Sequence, residues 1–331
     1  MPSKRPSVIY PPIVTWGMMT QRPHHLMRQF ALNGYDAIFC NHREEFGKER
    51  EETDTPGLFV DYQGTKLEGP FDVFYTTWPR THYLIEQYKP GIVLYDVCDR
   101  FPTWEEFVPA MVEKSTIITT SSSRIQAHME ADEELPVHLV RNACTSEHVV
   151  IPGTARKPVE DFGKDGRPVV GFVGAIAKWV DRDLLCKLSE EFNVVVVGPN
   201  HQAGPIPRAK NIGKVPFEGL PGFYASFDVG IVPFDRSEIS LSADPIKAWE
   251  YLAAGLPVVS TPLPSMEDMD GNVRISEPKD FIETVWETYR AQRSMEWKMK
   301  RHEFAKRNTW HHRGGQMLDL IKTIEDLGVT E

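Results

Sequence analysis

The 331-residue chain is short of positive charge, of cysteine and of long apolar runs. Lys and Arg number 37 against 47 Asp and Glu, a net charge of −10. A chain this acidic lacks the electrostatic footprint that draws proteins onto phosphate backbones or anionic lipid, so bulk nucleic-acid binding is disfavoured unless a local basic groove provides for it. The four cysteines, Cys40, Cys98, Cys144 and Cys186, lie far apart without a C-x-x-C pair. They are too sparse for a disulfide framework and suit a reducing cytoplasm. No stretch nears the ~18 apolar residues of a membrane span, and no apolar segment of ~7 to 15 residues follows Lys4 and Arg5. The expectation is a cytoplasmic protein, neither exported by a classical signal nor integral to a membrane, with peripheral contact at the inner membrane face left open.

What is present is an ordinary globular composition, 41% hydrophobic and 25% charged, on a chain long enough for two cores of about 150 residues each. Residues 1 to 155 carry 14 basic and 21 acidic side chains, and the remainder 23 and 26. An anionic ligand is therefore expected on the second half. Short β-branched or aromatic runs ending in turn residues alternate with amphipathic stretches of helical period. In the first half these runs are SVIYPPIV, DAIFCN, GLFVDY, DVFYTTW, GIVLYDV, STIITTS and HLVRN. Continuous apolar strands alternating with helices imply a parallel sheet covered on both faces. The Pro-, Gly- and charge-rich segment 150–167 has no periodicity and reads as a linker. The rhythm restarts at PVVGFVG and ends in terminal helices. The fold class is α/β, two tandem Rossmann-like doubly wound domains. The expected boundaries are 1–155, 156–308 and a final helix, 309–331, whose stripe of Met317, Leu318, Leu320, Ile321, Ile324 and Leu327 must be buried and which is expected to cross back to the first domain, packing on the second being the alternative.

Residues 240–262, SLSADPIKAWEYLAAGLPVVSTP, are the most informative. Asp244 is placed to N-cap a helix and Pro245 to open it, so the amides near Ile246 and Lys247 would point outward with partial positive charge, ready for an anion. Lys247 adds a full charge. Glu250 lies three residues on, on the same face, able to accept from two hydroxyls. A phosphate followed by a sugar diol matches that order; a plain surface ion pair is the competing reading.

The pattern formed by Pro245, Lys247, Glu250, Tyr251, Ala253, Gly255, Pro257, Val258 and Val259 resembles the donor-site signature of GT-B-fold, retaining-type glycosyltransferases of the large nucleotide-sugar family. That resemblance implies two domains facing across a cleft, a donor diphosphate at the helix N-terminus and a ribose on Glu250. The family's first Glu falls on Ser242, a form shared by a subgroup. The loop after PVVGFVG is similar to the family's pyrophosphate loop, with Gly171 and Gly174 for close backbone approach and Lys178 as the basic residue. Gly198, Pro199, Asn200 and the Val215–Pro216–Phe217 turn resemble the nucleobase side. Asp181 and Asp183 form a D-x-D, a metal motif in another glycosyltransferase fold, but Asp181 stands where it would cap the following helix, so no metal is implied. A nicotinamide site is disfavoured because the glycine spacing is wrong and the second strand ends in Gly-Pro-Asn.

In the first half, TWGMMTQRPHHLMRQFA resembles the entry loop of bacterial polysaccharide glycosyltransferases, including the teichuronic-acid biosynthesis type. Trp16, Gly17, Gln21, Arg22 and His24 are the residues this places toward an acceptor, with a core reading open for Trp16 and His25. Arg22 suits a phosphate or carboxylate. Asp96 and Asp99 end a strand where an α/β sheet places ligands, and resemble the family's Y-D-x-x-D segment. They are candidates to orient or activate an acceptor hydroxyl, with Lys247 and Lys178 stabilising the leaving diphosphate. Asn142 reads as structural.

The resulting expectation is a metal-independent hexosyltransferase, without cofactor, that moves a sugar from a UDP-linked donor to a glycan or lipid-linked hydroxyl acceptor in surface polysaccharide synthesis, with retention. Alternatives are a sugar-nucleotide epimerase or hydrolase, a DNA-base glycosyltransferase, and a non-catalytic nucleotide-sugar-binding subunit suggested by Ser242.

Overall fold

The computed structural model describes residues 5–42, 48–63, 66–133, 136–154, 156–163, 165–202 and 204–328. The chain divides into two compact units, one of residues 1–141 with 310–331 and one of residues 142–309.

The first unit contains β1 (Ser7–Tyr10), α1 (Arg22–Leu32), β2 (Asp36–Cys40), β3 (Arg50–Glu52), β4 (Leu58–Asp61), β5 (Val73–Thr76), α2 (Ile85–Tyr88), β6 (Ile92–Val97), α3 (Val108–Lys114), β7 (Ile117–Thr120), α4 (Ser123–Glu133) and β8 (Val137–Leu139). Its sheet runs β3-β4-β2-β1-β5-β6-β7-β8, and every pairing is parallel except β3 with β4. The strands are the apolar runs anticipated above, trimmed where Pro11 and Pro12 cannot donate to a ladder. β3, with the sequence REE and exposed at each residue, was not foreseen: it is an edge strand without an apolar face. The strand order reverses between β1 and β5, which makes the loop 11–21 the ligand-favouring switch point of this sheet.

The second unit contains β9 (Val169–Val173), α5 (Arg182–Glu191), β10 (Asn193–Val197), β11 (Lys210–Gly213), α6 (Leu220–Ala225), β12 (Val229–Val232), α7 (Glu238–Ser242), α8 (Ile246–Ala253), β13 (Val258–Ser260), α9 (Pro264–Glu267), β14 (Val273–Ile275), α10 (Phe281–Ala291) and α11 (Met295–Lys306). All its strands are parallel, in the order β11-β10-β9-β12-β13-β14, a complete doubly wound sheet with its switch point between β9 and β12. One apolar layer, including Tyr224, Tyr251 and Leu252, covers one face, and another, including Leu184, Leu188 and Phe281, covers the other.

Residues 142–154, which a boundary at 155 places with the first domain, pack with the second. Asn142 N donates to Asp244 Oδ2 at 2.7 Å, Val150 N donates to Ala253 O at 2.6 Å, and Cys144 bridges Thr309. Pro and Gly content marks where a chain lacks periodicity, and the division falls instead where these hydrogen bonds change partner. The final helix α12 (Trp310–Asp326) packs on α1. Trp310, Gly314, Met317 and Ile321 form its buried stripe. The Trp310 and His25 rings stack 4.6 Å apart, and a Cβ on Gly314 would collide with Gln29. Leu327, counted in the apolar stripe, is exposed.

Candidate functional site

In the second unit the donor motif gathers around the start of α8. The cap position of α8 is Pro245, which has no side-chain acceptor, so Asp244 does not hold the place that the sequence reading gave it. Asp244 is buried and turned backward. It accepts from Asn142 N and, at 3.1 Å, from Trp249 Nε1, while Asn142 Nδ2 donates to the Asp244 carbonyl at 2.5 Å. Its work is to pin α8 to the first segment of this unit. Ile246 and Lys247 open the helix, both half-buried.

Glu250 is completely buried. Its Oε2 accepts from Lys247 Nζ at 2.7 Å and from the Tyr224 hydroxyl, and its Oε1 has no partner. A buried carboxylate with one idle oxygen is costly unless something donates to it, so this atom calls for a ligand hydroxyl. Burial, then the Glu250 charge, holds the Tyr224 phenol well above its ordinary range, so it stays a donor. Lys247 Nζ also lies 5.6 Å from the Phe217 ring centroid, and His148 stacks on that ring at 5.0 Å. Burial holds the His148 imidazole below its usual pKa. Tyr224 and His148 were missed in the sequence, where one reads as a core aromatic on an amphipathic helix and the other lies in the unassigned stretch just before the linker.

The other motif residues serve this arrangement. The Tyr251 hydroxyl accepts from Val173 N at 2.7 Å, fixing the end of β9. Gly174 follows with φ 153°, and Gly198 has φ 142°, with the Gly174 carbonyl where its Cβ would stand. The two glycines thus let the ends of β9 and β10 meet at the switch point. Gly171 is different: it is buried inside β9 against the Phe227 ring, so its glycine answers to core packing and gives no backbone approach to a ligand. Lys178 is exposed on the loop after β9. Asn200 closes its own turn, donating to Gly204 O at 2.6 Å and accepting from Gln202 N at 2.9 Å, and lines a cavity with Gly198 and Pro199. Val215 is half-buried against the core. Ser242 is buried at the end of α7, a helix that the sequence reading did not foresee. Asp181 Oδ1 accepts from Leu184 N at 2.9 Å and caps α5.

In the first unit the acceptor candidates separate into two groups. Asp96 is fully buried, and its carboxylate accepts from Arg22 Nε (2.7 Å), Arg22 Nη2 (2.9 Å), Tyr75 (2.9 Å) and Thr119 (2.8 Å). With the Cys98 thiol also donating to Oδ2 at 3.6 Å, these donors saturate it, so it holds Arg22 and does not meet an acceptor hydroxyl. Arg22 in turn finds its carboxylate inside the protein. Asp99 is the contrasting case, half-buried in a cavity of about 100 Å³ with Trp104 and Arg100, its pKa pushed up to about 6 by burial although Arg22 pulls it down. It is the one of the pair suited to carrying a proton. Trp16 and His24 pack against Phe39 in a cluster of tilted and edge-on rings 4.9–5.2 Å apart, and burial lowers the His24 pKa to about 4. Both are packing residues of the loop base. Gly17, with φ 76°, and Gln21 are exposed on the loop itself, and Gln21 N donates to His24 Nδ1.

Two doubly wound units of this kind make up the GT-B fold. Residues 167–290 match the family described as glycosyl transferases group 1. A curated relative, the putative teichuronic acid biosynthesis glycosyltransferase TuaH of Bacillus subtilis, is 26% identical over 224 residues, 61% of this chain; the match spans about half (55%) of that protein's length. Among solved structures, sucrose-phosphate synthase from Thermosynechococcus elongatus superposes with TM-score 0.71 at 12% identity, covering 98% of this chain and 100% of that one. Anabaena HepE in complex with UDP-glucose superposes with TM-score 0.64 at 11% identity, covering 96% and 99%. At such identities these superpositions speak to the fold. Among the described residues no helix is long and apolar enough to cross a membrane.

Proposed function

We propose that this protein transfers a sugar, with retention, from a UDP-linked donor to a hydroxyl of a glycan or lipid-linked acceptor in surface polysaccharide synthesis. The observation that carries the reading is the idle Oε1 of buried Glu250, held in place by Lys247 and Tyr224 at the head of α8. A ribose diol donating to that carboxylate leaves the diphosphate beside the α8 amides and Lys247, with Lys178 on the neighbouring loop. Positive charge arranged before the reaction stabilises the charge that accumulates on the diphosphate as the sugar bond breaks. Asp99 faces the acceptor in this reading. UDP complexes of HepE and the polysaccharide role named for TuaH support the choice of donor and pathway class. Because Asp181 is committed to capping α5, we assign no metal to the D-x-D pair, and turnover is expected to survive EDTA.

Calorimetry of UDP binding tests the donor site. Glu250→Gln is expected to weaken binding by about 1 to 3 kcal/mol, the range for charge-assisted bonds to hydroxyls. Unchanged affinity would remove Glu250 from the site. The anomeric configuration of the first product, read by NMR, tests retention.

A further inference from the structure

A large cavity of the second unit shares only the Tyr224 wall with the Glu250 site. Its volume is about 460 Å³, and it lies beside Asp228 and Pro257, the residues just before β12 and β13. This is the amino-terminal edge of the sheet, opposite the edge where Gly174 and Gly198 follow their strands. Arg156, Arg293, Lys298 and Arg301 line it, against Asp228 as its one carboxylate. Such a concentration of cations stands out in a chain of net charge −10.

Arg301 is the informative member. It is wholly buried in α11, with Nε donating to Gly255 O and Nη2 to Gln292 O, each at 2.9 Å. Its Nη1 has no partner, and among the described residues no carboxylate pairs with it. Carbonyl dipoles at the ends of α8 and α10 hold the guanidinium but do not neutralise it. Burial lowers its pKa only to about 10, so it is charged at neutral pH. Gln292, which also lines the cavity, keeps a buried Oε1 without a partner. A buried cation lacking an anion and a buried acceptor lacking a donor thus belong to two residues of one cavity wall. Hydrogen phosphate and phosphate monoesters bring both complements, anionic oxygens and a hydroxyl.

We propose that this cavity binds a phosphate group, free or carried by a sugar monoester, with Arg301 at its floor and Arg293, Lys298 and Arg156 around it. Arg293 lies 3.8 Å from Asp228 and 4.5 Å over the Tyr289 ring, and both it and Lys298 are exposed at the rim, where turning toward an anion would leave the core undisturbed.

The test titrates inorganic phosphate, and separately glucose 1-phosphate, into the full chain by calorimetry. Saturable binding is expected, weakened at least tenfold in the Arg293→Ala/Lys298→Ala double variant and unchanged in Lys247→Ala. Tighter binding of the hexose phosphate identifies the monoester as the ligand, and equal binding identifies free phosphate; both support the site. No saturable binding means a cavity that holds water only and overturns the proposal. Binding lost in Lys247→Ala but kept in the double variant assigns the phosphate to the donor site and also overturns it. UDP affinity, measured on the same samples, reports the donor reading independently, because the double variant lies outside that site.

Discussion

Each unit buries a carboxylate near the switch point of its sheet, and the two are treated in opposite ways. Asp96 of the first unit has both oxygens filled by an arginine, a tyrosine and a threonine. Glu250 of the second has one oxygen filled and one idle. A saturated buried carboxylate holds its own surroundings together; a half-saturated one is incomplete until a ligand arrives. One carboxylate stands on strand β6 and the other on helix α8, and it is the count of donors that sets the structural role of Asp96 apart from the binding role proposed for Glu250.

The largest effect that would test this division is removal of α12. Truncation after Thr309 is expected to cost the first unit on the order of 5 kcal/mol or more, since Trp310, Met317 and Ile321 are core residues. Amide exchange should lose protection in residues 5–141 and keep it in the second unit; uniform loss would break the comparison at its base. Next comes Asp96→Asn, which leaves Arg22 buried with its charge uncompensated. We expect about 3 to 5 kcal/mol less stability by denaturant titration, with UDP affinity unchanged. A variant of wild-type stability but altered activity would make Asp96 a reacting group after all.

The third prediction concerns acid. His24 has a folded pKa near 4, below its unfolded value of about 6.5, so the unfolded chain binds its proton first. Its contribution is present above pH 6.5 and lost as pH falls toward 4, on the order of 3 kcal/mol at full loss. Asp99, raised to about 6, acts the other way: acid relieves its buried charge across the same window. His24→Phe should therefore lose less melting temperature than wild type between pH 6.5 and 4, and Asp99→Asn should lose more. Parallel curves for all three would show that neither group is perturbed by its surroundings. The smallest effect is expected from Tyr224→Phe, which removes one of the two donors to Glu250. A loss of about 1 kcal/mol in UDP binding with little loss of stability would mark Tyr224 as a positioning residue of the donor site. The reverse pattern would make it a core residue alone.

Much of the fold was legible because parallel strands buried on both faces must be continuous apolar runs, and these were visible from Ser7 to Ser260. The elements that escaped were β3, α7, α9 and β14, which are short, and in β3 wholly polar; a local pattern carries little signal when there is no buried face to impose one. The site was legible where spacing itself encodes geometry, as with Lys247 and Glu250 three residues apart on one helix face. It was illegible where partners come from distant segments: Tyr224 for Glu250, His148 for Phe217, Arg22 for Asp96.

The sequence by itself determined the α/β rhythm, the two sheets and the placing of Lys247 beside Glu250, because helical and strand periods are properties of neighbouring residues. Tertiary structure alone decided which carboxylate was left with an idle oxygen, that Asp244 faces backward to Asn142, and that Arg301 is buried without an anion. Hydrogen-bond saturation and desolvation depend on which groups the finished fold brings within 3 Å of one another, and no local period specifies that.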